Sequence, residues 1–270
     1  VLGCDPQKER ESMITYYPSR LRSYLECGER YRRRYIEKDR RDKTNIALAI
    51  GNALHHSAEK DNKKKIETPD DLLSKENIVD IAVEDYKKIT SENPLDEPAT
   101  EIGKGIDSCA DGAGVYADEV SPNTRPILAE EKIFTKVKGE DGKTFRIAGI
   151  IDIAEIETVG DFKTGKTAWN QKKADSADQL TLYGLLYHSK YGEFPKKMWI
   201  ANLINRVKGW KHQHLETTRN LSQYQKLLRR LSIADAGIRK GTFLPAAEGS
   251  WKCSEKWCEF WTDCIYAQGK

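Results

Sequence analysis

Residues 147–163 read IAGIIDIAEIETVGDFK. From Ile147 to Ile153 the residues are apolar on both faces, the pattern of a central strand covered on each side, and only Asp152 interrupts it. A carboxylate there needs a cation, a hydrogen-bonding partner or an opening to solvent, because burying it bare is costly. A turn at Thr158-Val159-Gly160 leads to Asp161-Phe162-Lys163, whose i,i+2 spacing puts Asp161 and Lys163 on one face of the next strand. Acids from two adjacent strands thus meet beside a lysine. That set fits metal-assisted phosphodiester hydrolysis, and a buried Asp–Lys salt bridge with Asp152 at a strand end is the alternative these three residues leave open.

Outward from this stretch, the first half reads as helices. One is expected from a Ser19 cap to about Lys38 and a second from Thr44 to about Asn62. A third starts at Thr68-Pro69-Asp70-Asp71 and runs towards Ile89, and a fourth lies between Glu101 and Glu119. After Pro122 and Pro126, β-branched alternation predicts strands at Ile127 to Val137, Thr144 to Ile156 and Val159 to Thr164, with a turn at Asp141-Gly142. A helix from Ala174 to Lys190, strands at Met198 to Val207 and Lys211 to Thr217, and a helix from Leu221 to Lys240 follow. The fold class is α/β, a mixed central sheet flanked by helices. No internal repeat argues for a solenoid.

The 270 residues are 38% hydrophobic and 32% charged, enough to bury a core, and no apolar run is long enough to cross a bilayer. A cytoplasmic protein without a membrane partner is the expectation. The net charge of +3 is too near balance to imply nucleic acid by itself. Between Arg20 and Lys43, however, ten basic residues face five acidic ones, with Tyr24, Tyr31 and Tyr35 interleaved. Such a stretch either tracks a phosphate backbone or is a solvated helix face with internal Glu–Arg pairs.

Four short motifs fall in order along the chain. Gly51-Asn-Ala-Leu-His55-His56-Ser-Ala-Glu59 puts His55 and Glu59 on one helical face, Gly149 to Asp152 is Gly-x-x-Asp, Asp161 to Lys163 is Asp-x-Lys, and Gln179 to Tyr183 is Gln-x-x-x-Tyr. This order resembles the RecB-like, AddB-like branch of the PD-(D/E)xK nuclease superfamily, over about Ser19 to Cys264. The resemblance implies a restriction-endonuclease-like core in a single nuclease domain spanning 1–270. Within it lie a helical region at about 18–120, a catalytic core at 126–240 and a cysteine-rich closing segment at 241–270 joined to Cys27. It implies His55, Asp152, Asp161 and the Phe162 carbonyl as ligands of Mg²⁺ or Mn²⁺, and Lys163 as the catalytic lysine. Glu59 would hold the site or a second ion, Gln179 and Tyr183 would contact DNA or steady the lysine, and His56 would stand behind His55.

Six cysteines in a cytoplasmic chain argue for metal or redox chemistry rather than disulfides. Cys253, Cys258 and Cys264 cluster in WKCSEKWCEFWTDC (251–264), and Cys27 stands far upstream. One early and three late cysteines look like the 4Fe–4S staple of AddB-type and CRISPR-associated RecB-like nucleases. The gap of four residues between Cys253 and Cys258 departs from the usual two, which keeps a Cys₄ zinc site and reduced thiols open. Trp251, Trp257, Phe260, Trp261 and Tyr266 are expected to pack round the metal, while Cys4 and Cys109 carry no motif.

Three functions follow from the resemblance. The leading one is a DNA exonuclease of recombination or end processing, similar to phage RecB-like exonucleases, bacterial or made by a phage in its host, with a single-strand annealing protein as partner. The others are a CRISPR-adaptation nuclease trimming DNA ends within a complex, and a non-catalytic DNA-binding scaffold with an iron–sulfur clamp.

Overall fold

A computed structural model describes residues 13–41, 44–93 and 95–267. Cys4 lies outside them. The elements are β1 (Thr15–Tyr16), α1 (Pro18–Glu26), α2 (Gly28–Tyr31), α3 (Ile46–Glu67), α4 (Lys75–Glu92), α5 (Ala99–Val115), β2 (Leu128–Lys138), β3 (Thr144–Glu155), β4 (Thr158–Gly165), α6 (Gln171–Asp175), α7 (Asp178–Tyr191), β5 (Lys197–Arg206), β6 (Gly209–Thr217) and α8 (Leu221–Arg239). No helix among the described residues is long and apolar enough to cross a membrane.

Helix starts differ from the sequence expectation in three places, one of them the helix expected from Ala174 to Lys190, which is split at Ser176 and Ala177 into α6 and α7. Ser19 is not a cap: α1 begins at Pro18, whose fixed φ suits a first turn, after an extended Tyr17 with no capping side chain. Thr68-Pro69-Asp70-Asp71 forms a turn after α3, and α4 begins only at Lys75, where the Ser74 side chain accepts the Asn77 amide. The helix expected to continue to Lys38 breaks at Cys27 and widens into a π turn at Arg32–Ile36.

The chain divides into two compact units, one of residues 43–133 and 150–220, the other of 1–42, 134–149 and 221–270. In the first, β3 and β4 pair antiparallel with Ile153 opposite Gly160, β4 and β5 pair parallel with Asp161 opposite Ile200, and β5 and β6 pair antiparallel with Asn202 opposite Gln213. The parallel step requires the crossover through α6 and α7. One sheet face, carrying Ile153, Phe162, Ala201 and Leu203, packs on α3, α4 and α5. These strands form the mixed, helix-flanked sheet expected from the sequence.

In the second unit, β1 runs parallel to the start of β3, pairing Thr15 with Arg146 and Tyr16 with Ile147. Two residues long, it gives no periodic signal. The Tyr16 hydroxyl donates to the Asp235 carboxylate of α8 at 2.9 Å. The basic stretch here is mostly committed to acids: Arg30 and Arg34 meet Glu259, Arg33 and Arg41 meet Asp263, and Arg32 meets Glu29 and Glu37. The paired guanidiniums hold the Asp263 carboxyl well below its usual range. Tyr31, offered with this stretch, is wholly buried and receives Arg20 Nε on its hydroxyl.

A buried ion pair anchors α3 in the first unit. Lys65 Nζ reaches Asp61 at 2.8 Å, and it also donates to the Ser121 carbonyl and hydroxyl and to Thr124. Tyr116 and Ser121 hydroxyls donate to the same Asp61 oxygen. Burial pushes the Lys65 amine below its ordinary value, so losing its partner leaves a cation poorly housed. Asp61→Ala therefore lowers unfolding free energy by about 3–5 kcal/mol, measured by urea titration; a loss under about 1 kcal/mol would mean that Lys65 reaches solvent instead.

Candidate active site

Helix α3 delivers the histidine. The Asn45 side chain accepts the Leu48 amide and starts the helix, and a side chain at Gly51 would meet the Thr164 hydroxyl of β4 at 2.8 Å. The missing Cβ thus lets α3 close on the catalytic strand. One turn on, His55 Nδ1 lies 3.6 Å from Asp152 Oδ2 and 3.9 Å from Glu130 Oε1. Among the described residues, His55, Glu130 and Asp152 are the one group of potential metal ligands whose atoms all lie within 4.8 Å of one another.

The two aspartates are the most buried acids of the site, 6% exposed at Asp152 and 1% at Asp161. Asp152 Oδ2 accepts the Phe162 amide at 2.9 Å, which ties β3 to β4. Asp161 Oδ2 is 2.5 Å from Lys163 Nζ, and Lys163 also donates to the Phe162 carbonyl at 3.3 Å. Asp161 Oδ1 is buried with no hydrogen-bond partner. Burial pushes the Asp161 carboxyl up to about 6 against the pull of Lys163, and burial raises Asp152 against the pull of His55 and Lys163. Burial also disfavours a charged His55, but Glu130 and Asp152 outweigh it and lift the imidazole above its usual value.

Three carboxylates therefore gather beside one lysine, Lys163, and one carboxylate oxygen has no hydrogen-bond partner. A divalent ion answers both, since an unpaired buried carboxylate oxygen is expensive and hard cations take oxygen ligands. The donor set of one imidazole and several carboxylates suits such an ion.

The sequence reading missed Glu130. It sits in β2 with a left-handed φ of 48°, a conformation that costs a non-glycine residue about 1–3 kcal/mol and persists only where the surroundings enforce it. The kink breaks the strand's alternation: Leu128 and Ala129 are both buried, and Glu130 follows half-buried. An acid after two successive apolar residues at a strand start was the available signal.

The remaining residues divide. Gln179 Nε2 donates to the Tyr183 hydroxyl at 2.8 Å, and burial together with Asp152 and Asp161 raises that phenol, so the pair faces the carboxylates. Glu59 is paired with Lys63 one turn along α3 and stands outside the close group. His56 turns to Asp85 at 3.4 Å, away from its neighbour.

In the other unit, Cys27, Cys253, Cys258 and Cys264 line one cavity with Phe260, Trp261 and Tyr266. None is in a disulfide, and the Cys27 sulfur accepts the Arg30 amide at 3.4 Å. Trp251 and Trp257 do not line it, contrary to the sequence expectation; they are 63% and 53% exposed and pack edge-on against each other. Cys109 is an ordinary core thiol, its pKa pushed up by burial to about 12.

A protein from Eubacterium rectale, described as a candidate exonuclease, has a crystal structure that superposes with a TM-score of 0.56 over 92% of this chain and 89% of its own, at 12% identity. The structure of SSO0001 gives a TM-score of 0.46 over 96% and 92%, at 14% identity. No curated protein matches the sequence closely. The family model of the PD-(D/E)XK nuclease superfamily matches residues 17–265, and with the His55, Asp152, Asp161 and Lys163 side chains assembled in one place, the chain belongs to that superfamily.

Proposed function

We propose that this nuclease is a divalent-metal-dependent deoxyribonuclease that removes nucleotides from DNA ends in recombination or end processing. The observation that carries the reading is the convergence of His55, Glu130 and Asp152 beside an Asp161 held by Lys163. The ligands would be His55, Asp152, Asp161 and the Phe162 carbonyl, with Glu130 as a further carboxylate. Bound Mg²⁺ or Mn²⁺ would supply an activated water and neutralise charge on the scissile phosphate. Lys163, held by Asp161, would position that water or take its proton. The Gln179–Tyr183 pair, hydrogen-bonded on α7, would steady the site and present polar groups to a nucleic-acid strand. Action on ends is supported by the likeness to the Eubacterium rectale protein described as a candidate exonuclease.

Cleavage of a linear duplex, labelled at both ends and titrated with Mn²⁺, tests this site. Asp161→Asn reduces the rate by about a thousandfold or more while DNA binding persists. Glu130→Gln raises the Mn²⁺ concentration for half-maximal cleavage by about tenfold. Undiminished cleavage by Asp161→Asn would remove the mechanism.

The four-cysteine cavity supports a second proposal, a 4Fe–4S cluster held by Cys27, Cys253, Cys258 and Cys264. One tetrahedral zinc would hold its thiolates about 3.8 Å apart, whereas no three of these sulfurs fall within 4.8 Å of one another. A larger group suits that spacing. Its ligands would join α1 and α2 to the 253–264 segment, which the arginine pairs to Glu259 and Asp263 already hold together. Protein purified without oxygen is then brown and contains iron and acid-labile sulfide, both lost in Cys258→Ser. Zinc alone on elemental analysis would replace this assignment.

A further inference from the structure

The hairpin joining β5 to β6 carries a surface that catalysis does not use. Its tip runs Asn205-Arg206-Val207-Lys208-Gly209, with Arg206 opposite Gly209 and Val207 fully exposed. A bare valine at the end of a two-residue turn has no packing role. Around it Lys166, Arg206, Lys208 and Lys211 are all exposed, and no acid pairs with any of them among the described residues. Arg30, Arg33 and Arg41, by contrast, are each paired with an acid. Ala168, Ile204, Arg206, Val207, Lys208 and Lys211 line a groove of about 560 Å³.

The register connects this tip to the active site. Strand partners share a sheet face, so Asp161 lies in one row with Ile200, Lys163 in the next with Asn202 and Gln213, and Gly165 in the next with Ile204 and Lys211. Arg206 is one row further. A side chain added at Gly165 would meet nothing within 4 Å, so the face is open there. From the Lys163 row to the Arg206 row is four residues, about 13 Å at strand rise, which matches about four base pairs of B-DNA. The β4–α6 loop is pinned beside this path by Asn202 to Thr167 and by Gln213 to Trp169.

We infer that the β5–β6 tip docks the end of a DNA duplex, with Arg206, Lys208 and Lys211 on phosphates and Val207 as an apolar wedge between base steps. The inference rests on the nuclease reading for its substrate. An apolar side chain set among cations is the combination that unstacks a step while holding the backbone. The wedge would part the strands about four base pairs from the catalytic row and feed one strand along Lys211, Gly165 and Lys163.

A blunt duplex with 2-aminopurine near its end, and the matching single strand, test the wedge. In EDTA the wild type raises 2-aminopurine fluorescence on binding, and Val207→Ser binds without that rise. With Mn²⁺, Val207→Ser cleaves the duplex about tenfold more slowly and the single strand at the wild-type rate. Replacing Arg206 and Lys211 by Gln weakens binding of both substrates and lowers the salt slope by about two. No fluorescence rise with wild type, or an equal rise and equal duplex cleavage with Val207→Ser, overturns the wedge. Wild type that opens ends but cleaves neither substrate upholds the wedge and removes the nuclease reading instead.

Discussion

Two aspartates buried side by side in a sheet are an electrostatic liability, and the unit around them is arranged to bear it. Asp152 is satisfied on one oxygen by the Phe162 amide, Asp161 on one oxygen by Lys163, and the second oxygen of Asp161 has nothing. Apolar residues below them, Phe162 and Ile153 among them, hold the strands against α3 to α5 and keep water from one side. His55 eases the burden on Asp152 and Glu130 adds to it, on the side where the three groups converge. A hard cation placed there turns the cost of burial into binding energy, which is why the same burial that strains the empty carboxylates makes them strong ligands.

Rigid support for this arrangement comes from unlike sources. The strand register spaces Asp152, Asp161 and Lys163, whereas His55 depends on a helix whose approach is set by Gly51 and whose far turn is tied down by Asp61 and Lys65. Glu130 depends on a kinked backbone. In the second unit, ion pairs from Arg30 and Arg33 reach Glu259 and Asp263, and four cysteines line one cavity beside them. Long sequence separations are bridged there by charge and by buried side chains such as Tyr16, Tyr31, Phe145 and Phe260.

The strands were legible because period-two alternation and the breaks at Asp141-Gly142 and Thr158 to Gly160 are local signals. The Asp161 and Lys163 pair was equally local, a consequence of strand geometry alone. His55 was legible through its motif, and its contact with Asp152 depends on packing between α3 and β4. Glu130 was not legible, because the left-handed turn that aims it is imposed by its surroundings. Capping signals misled where two competed: Thr68-Pro69-Asp70-Asp71 has the composition of a helix start, but Ser74 takes that role. The arginine-rich stretch read ambiguously because its partners, Glu259 and Asp263, lie more than two hundred residues away.

The central claim is that a divalent ion sits where these acids converge. Crystals grown with Mn²⁺ and measured at its absorption edge give the direct answer. The account predicts an anomalous peak about 2.0–2.2 Å from the ligand atoms of His55, Asp152 and Asp161. Manganese bound only elsewhere, with Asp152 and Asp161 empty at concentrations that support cleavage, would contradict it.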